Sequence, residues 1–177
     1  MSVIYLLSSL PTLQLDAPAP ITTEAFVAAC RDQLSAADAA AAEALLTDAA
    51  CDHPFVTTWR DRDTILRNAA AYQRARLAGT DASRWLRPEQ GCDTRIGNLV
   101  EDAFDEKDPL QREKALDRIR WLVAEELQGP DPLNVKNVFA YAIKLAIVAR
   151  WTARTPEQGQ TAFDRLTEIP LTLNTDE

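Results

Sequence analysis

The feature that most constrains this chain is a succession of helix start and stop signals from Thr22 to Thr167, with no usable strand alternation between them. Helices of ordinary length are marginal in water alone, so such a chain must bury one helix stripe against another. Thr22 or Thr23 caps a predicted helix to about Leu34, and Ser35 with Asp38 forms a capping box for an alanine-rich helix to about Asp48. After His53-Pro54 a longer helix is expected to Ala78, where Gly79 supplies a left-handed terminus. Phe55, Trp59, Ile65, Leu66, Ala69, Tyr72 and Leu77 are expected to form its buried stripe.

Thr80 to Leu86 reads as a short helix stopped by Pro88, and Thr94 to Phe104 as another. Asp108-Pro109 opens a helix that Gly129-Pro130 closes, with Leu116, Ile119, Leu122, Val123 and Leu127 as its apolar face. Asn134 caps the predicted central helix to about Arg154, in which Val135, Val138, Phe139, Ala142, Ile143, Ala146, Ile147 and Trp151 cover a wide apolar arc. Thr155-Pro156-Glu157-Gln158 opens a last helix to about Thr167. Before all of these, the apolar run Val3 to Leu7 and the prolines Pro11, Pro18 and Pro20 read as a short strand or irregular arm. The expected fold is therefore all-α: one domain over residues 1–177, an irregular antiparallel helical bundle with an extended N-terminal arm (1–21) and a polar tail (168–177).

Charge narrows the function. A formal net charge of −8 and a pI near 4.7 repel phosphate backbones and anionic lipid, so no nucleic-acid partner is expected. The most apolar run, Val138 to Ala149, contains Lys144 and falls short of the roughly 20 residues a bilayer requires, so no direct membrane insertion is expected. The start lacks the basic region of a signal peptide, and Cys30, Cys51 and Cys92 match neither a disulfide framework nor a zinc pattern. Reduced thiols in a cytoplasmic protein are the expectation.

No catalytic, cofactor or metal site emerges. His53 is the single histidine, and a Cys51/His53 pair would place the two side chains on different faces of a helix. The glycines are scattered, and Gly91 and Gly97 lead to Asn98-Leu99 rather than the Lys-Ser or Lys-Thr of a phosphate loop. The acidic run Glu101, Asp102, Asp105, Glu106 and Asp108 lacks the turn glycine and ligand spacing of a calcium loop, and Glu125 and Glu126 point apart on a helix.

One segment departs from the acidic background. Arg60, Arg62, Arg67, Arg74, Arg76, Arg84 and Arg87 face only Asp61, Asp63 and Asp81 in sequence, and Arg60, Arg67 and Arg74 lie at heptad spacing along one stripe. Three readings are open, in this order: a solvated face paired internally with the acidic run, a docking strip for an acidic partner surface, and last a nucleic-acid contact, for which only Tyr72 and Trp85 supply interleaved aromatics.

Four stretches carry a family resemblance: Tyr5-Leu-Leu-Ser-Ser-Leu-Pro-Thr-Leu13; Trp59-Arg60 leading to Leu66-Arg67-Asn68; Trp85-Leu86-Arg87; and Ala140-Tyr141-Ala142-Ile143-Lys144-Leu145 leading to Arg150-Trp151. In this order they resemble an uncharacterised bacterial family encoded beside the subunits of V-type (A-type) ATPases. That family is itself distantly similar to the helical, non-catalytic ATPase component that couples the membrane rotor ring to the central axle. The resemblance spans about Tyr5 to Leu166. It implies an all-helical, non-enzymatic accessory, coupling or assembly subunit that acts by protein–protein contacts. V-type ATPase subunits would be its partners, with no cofactor and a cytoplasmic site peripheral to the membrane. The chain is much shorter than the rotor-coupling component, so a one-for-one rotor role is not implied. Arg67, Asn68, Arg74, Tyr141 and Lys144 are motif positions to which the resemblance assigns no catalytic role. The competing expectation is a small helical adaptor, unrelated to the ATPase, that binds an acidic partner on the arginine strip.

Overall fold

A computed structural model describes residues 2–91, 93–154 and 156–168. Among them eight α-helices follow in order: α1 (Val3–Ser9), α2 (Thr23–Gln33), α3 (Ala36–Thr47), α4 (Pro54–Ala78), α5 (Thr94–Phe104), α6 (Pro109–Gln128), α7 (Lys136–Ala153) and α8 (Pro156–Glu168), with one 3-10 turn at Ser83–Trp85. The described residues contain no strand, and the all-α expectation holds. The expected caps are largely in place. Thr22 accepts from the Ala25 amide, Ser35 from Asp38 and Asp108 from Leu110, while Gly79 ends α4 at φ +65°. Asn134 accepts from the Lys136 amide, although Val135 occupies the cap position of α7. Cys92, the capping box at Thr155 and the expected tail beyond 168 lie outside the described residues.

Two expectations are corrected. Val3 to Ser9 is a helix, not a strand or extended arm, because Ser2 caps it through the Tyr5 amide and Leu6 is fully buried while Val3, Leu7 and Leu10 pack against the core. That i, i+3, i+4, i+7 spacing satisfies a helix better than an alternating strand. Residues 10–22 do run without regular structure. The stretch expected as a helix from Thr80 to Leu86 shortens to the single 3-10 turn.

The core consists of two apolar clusters that meet at Trp59 and Leu127. One gathers α1, α2, α3, the start of α4 and the centre of α7 around Phe26, Val56, Phe139 and Leu145. The other packs the middle of α4 on α5 and α6 through Leu66, Ile96, Val100 and Leu116. Helix α7 is central as expected, with Val138, Phe139, Ala142, Ile143 and Ile147 buried and Val135, Ala146 and Trp151 half-buried. Asp63 of α4 pairs with Arg120 of α6 and Arg74 with Glu113, so these two helices run antiparallel. Lys144 with Glu125 and Arg150 with Asp117 set α6 and α7 antiparallel in turn. The C-terminal turns of α4 and α7 therefore share one end of the bundle with the N-terminal turns of α6.

Candidate docking surface

Tyr141, Lys144 and Asn68, three of the five motif positions, hold separate parts of the fold together. The Tyr141 hydroxyl donates to the Pro11 carbonyl at 2.9 Å, and its ring stacks on Phe26 with centroids 5.3 Å apart. Burial pushes the pKa of this phenol up to about 12, since a charged oxygen there would lose its water. Lys144 pairs with Glu125 at 3.0 Å and lies over the Trp121 ring at 4.9 Å. Tyr141 thus clamps the segment after α1 onto α7, and Lys144 clamps α7 onto α6.

Asn68 does more. It is nearly buried, and its amide donates to the Arg87 carbonyl and to Glu89 Oε2, both at 2.8 Å, while its own oxygen accepts from the Arg87 amide at 2.9 Å. A side-chain amide bonded to both polar groups of one residue replaces a missing stretch of backbone pairing. It ties Trp85-Leu86-Arg87 to α4. Further anchors hold the same loop: the Thr80 amide donates to the Ala75 carbonyl at 2.9 Å, Asp81 accepts from the Ser83 amide at 3.1 Å, and Ala82 is buried. The Ser83 bonds hold the Asp81 carboxyl below its usual pKa range.

Between these anchors the loop turns its apolar side chains outward. Trp85 and Leu86 are 48% and 44% exposed; Tyr72 of α4, beside Leu86, is 58% exposed, and Leu77 of the same helix is 66% exposed. Helical periodicity alone places Tyr72 and Leu77 in the core, and that expectation is corrected. Tyr72 borders a shallow cavity of about 350 Å³ against the loop rather than against another helix. A neighbouring cavity of about 360 Å³ has an apolar floor of Ala71, Ala75 and Ala78 and is bounded by Trp85 and Arg74. Leu122 of α6, also expected inside, is 45% exposed. Arg84 lies over the Trp85 ring at 4.8 Å and Arg76 lines the cavity beside Tyr72, which with Arg74 gives the patch a basic rim.

The arginine stripe itself is paired internally. Arg60 bonds the Ala49 carbonyl and approaches Asp48 at 3.9 Å, Arg67 pairs with Asp63 at 2.5 Å, and Arg74 with Glu113 at 2.8 Å. The acidic run supplies none of these partners; it meets the basic segment through Glu101, which pairs with Arg76 at 3.2 Å. Exposed pairs of this kind contribute about 0–1 kcal/mol each, so a partner's carboxylates can replace them at little cost. Of the three stripe residues, Arg74 is the one that also borders the apolar floor.

Neither His53 nor the described cysteines form a reactive pair. His53 Nδ1 accepts from the Phe55 amide at 3.2 Å as the cap of α4, Nε2 lies 3.6 Å from Asp38, and the ring stands edge-on to Phe139 at 4.9 Å. Cys30 is fully buried, which pushes the pKa of its thiol up to about 12. A maleimide at neutral pH is therefore expected to modify half-buried Cys51 well before Cys30, read by mass spectrometry of the native protein. Equal rates would contradict the packing of Cys30. Among the described residues, no group of three or more His, Cys, Asp and Glu side chains gathers as a metal-binding set, and no helix is long and apolar enough to cross a membrane.

The pinned loop is open to a direct test. Asn68→Ala leaves the Arg87 amide and carbonyl without their partner and is expected to cost about 1–3 kcal/mol in urea unfolding. Hydrogen exchange over residues 80–89 should accelerate more than in α7. Uniform exchange across the chain would mean that Asn68 does not hold the loop.

No curated protein and no solved structure matches this chain. Residues 93–169, which include helices α5 to α8, match the model of a family described as a protein of unknown function (DUF2764), whereas α4 and its pinned loop lie before the matched stretch.

Proposed function

We propose that this chain is a non-enzymatic accessory subunit that works by protein–protein contact, with the end of α4 and the pinned loop as its docking surface. One observation carries the reading: a nearly buried asparagine commits its bonds to holding a loop whose tryptophan and leucine face solvent. A loop already ordered in the free protein loses little further entropy on binding. Tryptophan, tyrosine and arginine, all present in the patch, are also the residue types that dominate interface energetics.

The partners we propose are subunits of a V-type ATPase, on the strength of the motif order from Tyr5 to Trp151. The role is assembly or coupling at the cytoplasmic side, and the basic rim selects an acidic, partly apolar surface on that partner. The purified protein is expected to hydrolyse no nucleotide and to retain V-type ATPase subunits from a lysate of its own organism. Release should be progressive as salt rises, because screening shortens the reach of the rim to about 8–10 Å at physiological ionic strength. Retention of an acidic protein unrelated to the ATPase would favour the adaptor reading, which the same basic rim also supports. Retention of nothing at low salt would remove both.

A further inference from the structure

Two surfaces of opposite charge stand side by side at the docking end. Arg62 meets Asp93 and Arg76 meets Glu101 at 3.2 Å, so α4 and α5 run parallel and end together, while Arg74 with Glu113 brings the start of α6 to the same place. Arg74 and Arg76 also border the two cavities against the loop, so their ion pairs form a seam. On one side of the seam is the pinned loop, with Arg84 and Arg87 exposed around Trp85 and Leu86. On the other is the turn from α5 to α6, where Asp102, Asp105 and Glu106 are exposed and Leu110 is 51% exposed.

Among the described residues, neither these two cations nor these three carboxylates make an ion pair. Residues 74–87 hold Arg74, Arg76, Arg84 and Arg87 against Asp81 alone, and residues 101–110 hold Glu101, Asp102, Asp105, Glu106 and Asp108 against Lys107 alone. The acidic turn is as firmly held as the loop: Arg112 lies over the Phe104 ring at 5.0 Å and donates to the Glu106 carbonyl at 2.7 Å. Each surface carries the charge the other lacks, together with an exposed leucine, yet two neighbours on one rigid end cannot close on each other.

Adjacent complementary patches are what a two-fold contact between identical chains requires, since each copy then offers both halves. We propose that a second copy of this chain covers the patch: each copy lays its α5–α6 turn on the loop of the other, with Leu110 against Trp85 and Leu86, and Asp105 and Glu106 against Arg84 and Arg87. This rests on the patch being a docking surface and names its occupant when no other partner holds it. The net charge of −8 opposes pairing only at long range, because physiological salt screens charges beyond about 8 Å.

Charge exchange tests the pairing. Sedimentation of the full chain at physiological salt should show monomer and dimer in equilibrium by about 1 mM, where a contact with a Kd of about 0.1 mM is mostly formed. Arg84→Glu with Arg87→Glu, and separately Asp105→Lys with Glu106→Lys, should each weaken the dimer about a hundredfold or more, because both symmetric contacts turn repulsive. Circular dichroism checks that each variant keeps its helices. An equal mixture of the two variants should restore dimers, since every reversed patch then meets its opposite, and unfolded variants cannot imitate that rescue. A parent that stays monomeric would overturn the proposal, as would variants that dimerise like the parent or a mixture that does not recover. Growth beyond two copies would overturn it too, by replacing the closed pair with an open chain. A monomeric parent that still captures ATPase subunits would leave the docking reading standing, whereas a rescued dimer without such capture would fault the ATPase reading alone.

Discussion

Asp117→Ala is expected to destabilise the protein by about 3–5 kcal/mol, the usual cost of breaking a buried ion pair from one side. Asp117 is 2% exposed. Its carboxylate accepts from Arg120 Nη1 at 2.8 Å, from Arg150 Nη2 at 2.5 Å and from Trp151 Nε1 at 2.7 Å. Arg120 reaches on to Asp63 at 3.0 Å, so one cluster joins α4, α6 and α7. Burial alone would lower the Arg120 pKa, but Asp63 and Asp117 outweigh it and hold the guanidinium charged above its ordinary range. Removing Asp117 leaves that cation half-neutralised and the indole N–H unbonded, and both effects have the same sign. Equilibrium urea unfolding measures the loss. A change below about 1 kcal/mol, ordinary for a surface substitution, would mean that water or another carboxylate replaces Asp117. The cluster also fixes how α4 crosses α6, and so where the docking end of α4 points.

Phe139→Ala is expected to cost about 3–5 kcal/mol as well, through a different mechanism: lost apolar burial plus the cavity left behind. Phe139 is 1% exposed in α7 and lies against Phe55 and His53, with centroids 5.1 and 4.9 Å away. Those two residues open α4, so the ring is a contact between α7 and the entry of the long helix. A loss under about 1 kcal/mol, ordinary for an unremarkable substitution, would deny α7 its central place.

Capping is a local interaction, which is why Thr22, Ser35, Gly79 and Asp108 are legible in the sequence and why most helix boundaries follow from them. The run from Val3 to Leu7 is ambiguous because a short apolar stretch satisfies either period, and only the burial of Leu6 under the bundle decides it. Tyr72 and Leu77 mislead for a related reason. Periodicity marks which residues of α4 could be buried, whereas burial needs something packed opposite, and opposite Tyr72 the structure puts a loop. The role of Asn68 is not legible at all, since its partners Arg87 and Glu89 lie far along the chain. Arg60, Arg67 and Arg74 are visible as a stripe, and Arg67 meets Asp63 one turn earlier on the same helix, but the groups that meet Arg60 and Arg74 come from the end of α3 and from α6. No local pattern signals that the exposure of Trp85 and Leu86 is held in place from beneath.

The most direct measurement is capture by two full-length variants, compared with the parent at low and physiological salt, with circular dichroism confirming the helical content of each. Trp85→Ala with Leu86→Ser removes the apolar centre of the patch, and truncating such an anchor typically costs about 2 kcal/mol or more, which is about thirtyfold or more in affinity. Arg60→Glu with Arg67→Glu and Arg74→Glu reverses the stripe, and should weaken capture mainly at low salt, where rim charges act on association. Loss of captured ATPase subunits in the first variant at both salts is the result expected. Retention of those subunits undiminished by the loss of Trp85 and Leu86 would contradict the assignment of this surface.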